Sequence, residues 1–187
     1  MKKVFIGGSR RLSRLNKEVA ARLDKIIKNE LAVLVGDANG ADRTVQDYLA
    51  RRGYRKVTVF CAATPCRNNV GRWPTRQVAA PADGRRDFAF YASKDRVMVD
   101  EADYGLMLWD GRSRGTLTSA VDLIRQGKPV VVYVSPSKRF ETFMDVADLP
   151  RLLERVDAAM VHQLERDLQV NVSPPERRER AGNLLLF

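Results

Sequence analysis

The sequence predicts an α/β protein in which a doubly wound parallel sheet of about five strands is flanked by helices and followed by a C-terminal helical extension. Three observations predict it. Short apolar runs alternate with helical patterns five times, an order that suits a parallel sheet with helices on both faces. The runs carry almost no charge, as strands buried on both faces should. Three of the strand-to-helix turns are rich in glycine and polar residues. In such sheets these turns gather at the carboxyl ends of the strands, where ligands bind.

The first strand is Val4-Phe5-Ile6, and it ends in Gly7-Gly8-Ser9-Arg10-Arg11. Gly7 and Gly8 allow a ligand close approach, and Ser9 and Arg10 suit an anion; a plain tight turn accounts for them equally well. A helix follows, with Asn16 as its cap and Val19, Leu23, Ile26 and Ile27 on one face. Leu31–Val35 is the second strand. Gly36-Asp37-Ala38-Asn39-Gly40-Ala41-Asp42 connects it to a helix that turns Ala41, Val45, Tyr48 and Leu49 inward and stops at Gly53. Asp42 falls in the first turn of that helix, where the dipole favours a carboxylate. Its alternative role is to bind ribose hydroxyls or a base edge. Lys56–Phe60 is the third strand.

Thr64–Gly84 is irregular, with Pro65, Pro74, Pro81, two glycines and Trp73. A loop of that length in a compact domain is usually a lid, a binding loop or a disordered segment. Trp73 is read as an anchor to the core, with stacking on a base as the alternative. Asp87–Ala102 reads as a helix with Phe88, Tyr91, Ala92, Met98, Val99 and Ala102 on one face. Asp95 shares that face, where an unpaired carboxylate is costly, so it serves either a site or a structural ion pair. Lys94 and Arg96 flank it.

Tyr104–Tyr133 is the clearest unit: an apolar strand to Trp109, a turn, a helix carrying Leu117, Ala120, Val121 and Ile124, a stop at Gly127 and Pro129, and the strand Val130–Tyr133. Its turn, Asp110-Gly111-Arg112-Ser113-Arg114-Gly115-Thr116, is a candidate anion site. The first N–H groups of a helix lack intrahelical partners and its dipole favours negative charge, while Arg112 and Arg114 can neutralise phosphate. An ordinary turn capped by Ser113 is the other reading. Neither dinucleotide fingerprint, G-x-G-x-x-G or G-x-x-x-x-G-K-S/T, occurs. Beyond Tyr133, Pro136 breaks the chain. Phe140–Ala147 and Leu149–Leu168 read as helical, and the end carries Pro174-Pro175, a charged cluster and Leu184-Leu185-Leu186-Phe187.

With 187 residues, 44% hydrophobic and 30% charged, the chain suits one domain with a sizeable core. No apolar run reaches the length of a membrane span. The N-terminus enters a strand without the apolar stretch of a signal peptide, so a cytoplasmic setting is the default. The formal net charge is +10, which admits nucleic acid, nucleotides or other phosphorylated ligands, or serves solubility alone. It is unevenly spread: Arg67, Arg72, Arg76, Arg85 and Arg86 face Asp83 alone between Ala62 and Arg86, and Arg177, Arg178 and Arg180 lie in the tail. Cys61, Cys66 and a distant His162 are too few to hold zinc, so no metal and no cofactor is expected. Both cysteines are read as reduced thiols, because a disulfide across so short a loop is rare in the cytoplasm. His162 is read as a surface helix residue.

Gly7-Gly8-Ser9-Arg10, Gly36-Asp37-Ala38-Asn39-Gly40-Ala41-Asp42, Lys94-Asp95 with Met98, and Trp109 to Thr116 together resemble the SLOG superfamily, from about Val4 to Tyr133. That group has a modified Rossmann fold and includes the Lonely Guy phosphoribohydrolases, the DNA-processing protein A domain and nucleotide-sensing domains. The resemblance is strongest to its small stand-alone bacterial and phage members. It implies a nucleotide-binding domain over residues 1–135; residues 136–187, which the resemblance does not cover, are expected to form a helical extension and tail packed on the same domain. It also implies phosphate on Gly115-Thr116 with Ser9 and Arg10 nearby, and Asp42 and Asp95 at the ribose or base end. The binding set it suggests is Gly8, Ser9, Arg10, Gly36, Asp37, Gly40, Asp110, Gly111, Ser113, Arg114, Gly115 and Thr116, with Asp95, Asp42 and Lys94 as candidate catalytic groups.

One departure matters. Lonely Guy enzymes carry Pro-Gly-Gly-x-Gly-Thr-x-x-Glu, and here Ser119 holds the glutamate position. The leading expectation is therefore a protein that senses or processes a nucleotide. The alternatives are an N-glycoside hydrolase releasing a base from a nucleoside monophosphate, and a protein that binds single-stranded nucleic acid like the DNA-processing group. The resemblance and the apolar C-terminal residues also imply a homodimer.

Overall fold

The computed structural model describes residues 1–62, 65–78 and 88–168. The expectations for Arg85, Arg86, Arg177, Arg178, Arg180 and Leu184–Phe187 lie outside those residues. Among the described residues no helix is long and apolar enough to cross a membrane.

Seven strands form one sheet: β1 (Lys3–Gly8), β2 (Ala32–Gly36), β3 (Val57–Cys61), β4 (Thr75–Gln77), β5 (Tyr104–Trp109), β6 (Val130–Val134) and β7 (Arg139–Phe143). Their order is β4-β3-β2-β1-β5-β6-β7. All neighbours are parallel except the β6–β7 pair. The chain first winds outward from β1 on one side, then returns to lay β5 on the other, so the turns after β1 and β5 diverge at a topological switch point. The register sets Gly8 beside Leu108 at that point.

Strand residues alternate between two cores, as a period of two requires. Val4, Ile6, Val33, Val35, Leu106 and Leu108 pack with helices α1 (Lys17–Lys28) and α2 (Ala41–Arg51). Phe5, Leu34, Met107, Val130 and Val132 pack on the opposite face. That face holds α3 (Phe88–Glu101), α4 (Arg114–Arg125), α5 (Leu149–Leu153) and α6 (Ala158–Leu168). The predicted cap of α1 is present: the Asn16 side chain accepts from the Val19 N–H at 2.9 Å.

The structure corrects the sequence reading in four places. The sheet has seven strands rather than about five. β4 is wholly exposed and polar, so no hydrophobic pattern announces it; its pairing with β3 makes it a strand. Phe140–Ala147 is helical only at its end, where a short 3-10 helix, Val146–Asp148, begins. Phe140 and Phe143 are spaced to suit a helix, but β6 offers an open edge, and a turn after Val134 lays Arg139–Phe143 along it antiparallel. Leu149–Leu168 is two helices, because the Asp157 side chain accepts from the Met160 N–H at 2.8 Å and starts α6 afresh. Finally, Cys61 and Cys66 are joined in a disulfide, their Cα atoms 5.3 Å apart. The bond ties Cys66 to the end of β3.

Candidate functional site

Three turns meet at the switch point, and Ser9 fastens them together. It is buried. Its N–H donates to the Leu108 carbonyl at 2.9 Å, and its own carbonyl accepts from the Ala41 N–H at 3.0 Å. Its hydroxyl donates to Asp110 Oδ2 at 2.7 Å. Gly8 is required by this closeness: a Cβ there would meet the Leu108 carbonyl oxygen at 2.6 Å and the Ala41 Cβ at 2.7 Å. Gly40 adopts φ +79°, and a side chain on it would strike the Arg10 backbone. Both glycines therefore serve the joining of the turns.

The turn after β2 carries a buried charge cluster. The Asp37 carboxylate accepts from the Arg67 backbone N–H at 3.0 Å, from Nε at 3.2 Å and from Nη2 at 2.6 Å. Burial would raise its pKa, but these bonds outweigh that and hold the carboxyl below its usual range. Asp42, at the start of α2, accepts from the Ala38 N–H at 3.1 Å. Burial pushes Asp42 up to about 6, opposed by the positive charge of Lys94. Lys94 comes from α3 and is buried, with Nζ 2.5 Å from Asp95 Oδ1. Burial alone would lower the Lys94 pKa; Asp95 and Asp42 together raise it. The Lys94 side chain is 5% exposed and that of Asp95 26%. Lysine thus forms the floor and the aspartate its rim, in the ion pair that the sequence left as the alternative to a place on the inward face.

The turn after β5 is ordered by Asp110. Besides Ser9, its carboxylate accepts from the N–H groups of Arg112 at 3.0 Å and Ser113 at 2.7 Å. These bonds overcome the effect of burial and lower its pKa. Gly111 turns the chain at φ +80°. Ser113 occupies the cap position of α4 but makes no side-chain cap bond; its hydroxyl accepts instead from Thr116 Oγ1 at 2.9 Å. Among the described residues nothing caps the N–H groups of Gly115 and Thr116. Arg114 is forked onto Asp167 of α6, with two contacts of 2.6 Å. The Ser119 hydroxyl bonds back to the Gly115 carbonyl at 3.1 Å.

Between these turns and α3 lies a cleft of about 650 Å³, within the range of small-molecule sites. Of the residues singled out in the sequence, Gly8, Ser9, Arg10, Asp42, Lys94, Asp95, Asp110, Ser113, Arg114, Gly115 and Thr116 line it. Gly36, Asp37, Gly40 and Gly111 do not; they shape or brace its turns. Arg10, Arg11 and Arg112 also border the cleft, and no described carboxylate pairs with them. Two lining residues escape the sequence reading. In the sequence Arg67 is only one arginine of a basic loop, and Tyr91 is only a core position of its helix. Trp73 is the anchor expected of it, buried, with Nε1 donating to the Tyr54 carbonyl at 2.8 Å.

Comparison with solved structures bears on this architecture. The X-ray structure of DNA processing protein A from Streptococcus pneumoniae matches 70% of this chain with a TM-score of 0.54 and 19% identity. The fold is similar to that of DNA processing protein A. A second structure of DNA processing protein A, from Helicobacter pylori, matches 90% of this chain and 80% of its own, with a TM-score of 0.54 and 17% identity. Its description concerns a single-stranded DNA binding mode. The chain spans about half (50%) of the length of the S. pneumoniae protein. The likeness supports the Rossmann-like α/β architecture read from the sequence. No protein-family model and no curated protein matches the chain.

Proposed function

We propose that the cleft binds a nucleotide unit, with the phosphate on the N-terminal turn of α4. The observation that carries this reading is the meeting of two features in one cleft. The N–H groups of Gly115 and Thr116 stand uncapped at a helix N-terminus, and Arg10, Arg11 and Arg112 border the same space without carboxylate partners among the described residues. Such an arrangement favours a phosphate through hydrogen bonds, dipole and charge together. The Lys94–Asp95–Asp42 cluster on the facing wall supplies acceptors for hydroxyls. Isothermal calorimetry with a nucleoside monophosphate and its nucleoside tests the reading. The phosphate should tighten binding on the order of tenfold or more, the worth of one hydrogen bond to a charged group. Gly115→Val should remove that advantage. Equal affinity for nucleoside and monophosphate in the unaltered protein would refute it.

A second reading is that the nucleotide unit belongs to a single DNA strand. The likeness to DNA processing protein A and the net charge of +10 favour it. Binding to an oligonucleotide would then weaken steeply with salt as counterions are released, and a monophosphate would compete with the strand. The hydrolase alternative rests on Asp95, a rim carboxylate held by Lys94, since Ser119 is tied to its own helix. Release of free base from a panel of monophosphates decides that point. The expected homodimer is decided by light scattering.

A further inference from the structure

Resting on the nucleotide reading above, we infer that the Arg67–Tyr91 pair is a base-stacking subsite, so that the ligand carries a planar aromatic base beyond its sugar phosphate. The guanidinium carbon of Arg67 lies 4.7 Å from the centre of the Tyr91 ring. Asp37 grips the guanidinium by its edge, through Nε and Nη2. Hydrogen bonds of that kind lie in the plane, so with Tyr91 against one face the other is left for stacking. Both residues border the cleft, and the side chain of Arg67 remains 36% exposed. Tyr91 stands three and four residues before Lys94 and Asp95 on α3, which puts it on the same helix surface as the polar floor.

The pair is also held in place from several sides. Cys66, next to Arg67, is bonded to the end of β3. Asn68 Nδ2 donates to the Asp37 carbonyl at 2.8 Å, and the Val70 N–H donates to Gln46 Oε1 at 3.0 Å. A stacking platform gains from such fixing, because little ordering remains for the ligand to impose. Nucleobases stack readily on aromatic rings and on arginine planes. The cleft thus offers, in one space, a helix N-terminus with arginines, a floor of hydroxyl acceptors and a stacked plane. Those are the complements of a phosphate, a sugar and a base.

Calorimetric titrations with adenosine monophosphate, ribose 5-phosphate, adenosine and ribose test this. The base should tighten binding roughly 5- to 150-fold, the range for one stacked base. In Tyr91→Leu the ratio of adenosine monophosphate to ribose 5-phosphate affinity should fall toward one, and Tyr91→Phe, which keeps the ring, should preserve it. Arg67→Lys, which keeps the charge without the plane, should lower the ratio too. Circular dichroism melting of each variant separates loss of the subsite from loss of folding. Equal affinities of adenosine monophosphate and ribose 5-phosphate in the unaltered protein overturn the inference, and do so without touching the phosphate reading if ribose 5-phosphate still outbinds ribose. A ratio unchanged in Tyr91→Leu overturns it as well. If phosphate makes no difference yet adenosine outbinds ribose through Tyr91, the subsite stands and the phosphate reading falls.

Discussion

Replacing Asp42 by asparagine should change how stability depends on pH. Asp42 is buried, and burial raises its pKa from 3.8 to about 6. A carboxyl that holds its proton more tightly in the folded chain than in the unfolded one favours folding at low pH. That preference fades as the pH rises from 3.8 through about 6. The full shift corresponds to about 3 kcal/mol, of which about 2 kcal/mol falls between pH 4 and pH 7. An amide in place of the carboxyl cannot ionise, so the variant lacks this loss. Carboxyls with lowered pKa, among them Asp37 and Asp110, act in the opposite sense, but they are common to both proteins and cancel in the comparison. Urea unfolding of both proteins at pH 4 and pH 7 gives the quantity needed. The stability of Asp42→Asn relative to the unaltered protein should improve by about 2 kcal/mol on going from pH 4 to pH 7. A difference that is the same at both pH values would refute the account of the buried cluster. A nucleotide that engages Asp42 through its hydroxyls should also bind with a pH dependence centred near 6, and that dependence should vanish in the variant.

Other perturbations have equally direct readouts. Reducing the Cys61–Cys66 bond, or replacing both residues by Ser, should cost about 2 kcal/mol in urea unfolding, the entropy of closing so short a loop; an unchanged midpoint would show that the bond adds nothing. Gly8→Ala should cost about 1–3 kcal/mol by overpacking, since its Cβ would stand 2.6 Å from the Leu108 carbonyl oxygen. A variant with the original melting temperature would mean that β1 and β5 can separate at that point.

The five buried parallel strands were legible because each is an apolar run with turn residues after it, and the three turns could be assigned to one edge from topology alone. Local chemistry was legible too: Asn16 caps its own helix, and Trp73 needed only a nearby carbonyl. Partners distant in sequence were not. Asp37 and Arg114 read as ligand-binding residues, and only the fold shows that Arg67 pairs with the first and Asp167 with the second. Helical spacing put Asp95 inward, but adjacent side chains on a helix diverge by about 100°. The flexible stem of Lys94 let its ammonium reach the interior instead. β4 has no pattern to read. The disulfide was legible as a spacing of five residues, which allows the bond but does not require it.

The hydrogen bond between Ser9 and Asp110 joins residues 101 apart in sequence. A ribosome adding roughly 5–20 residues per second takes on the order of 5–20 seconds to cover that interval. Throughout it, β1 and β2 can pair and bury α1 and α2, but the Gly7–Arg11 turn has no strand on its far side. The cleft therefore cannot close before the turn after β5 has been made. A chain interrupted before Asp110 holds at most β1 to β5 and lacks the turn after β5, so the cleft is without one of its walls. Closing so wide a loop is slow relative to local helix formation, and a ligand that bridges the turns after β1 and β5 would act as a clasp on the step that closes last.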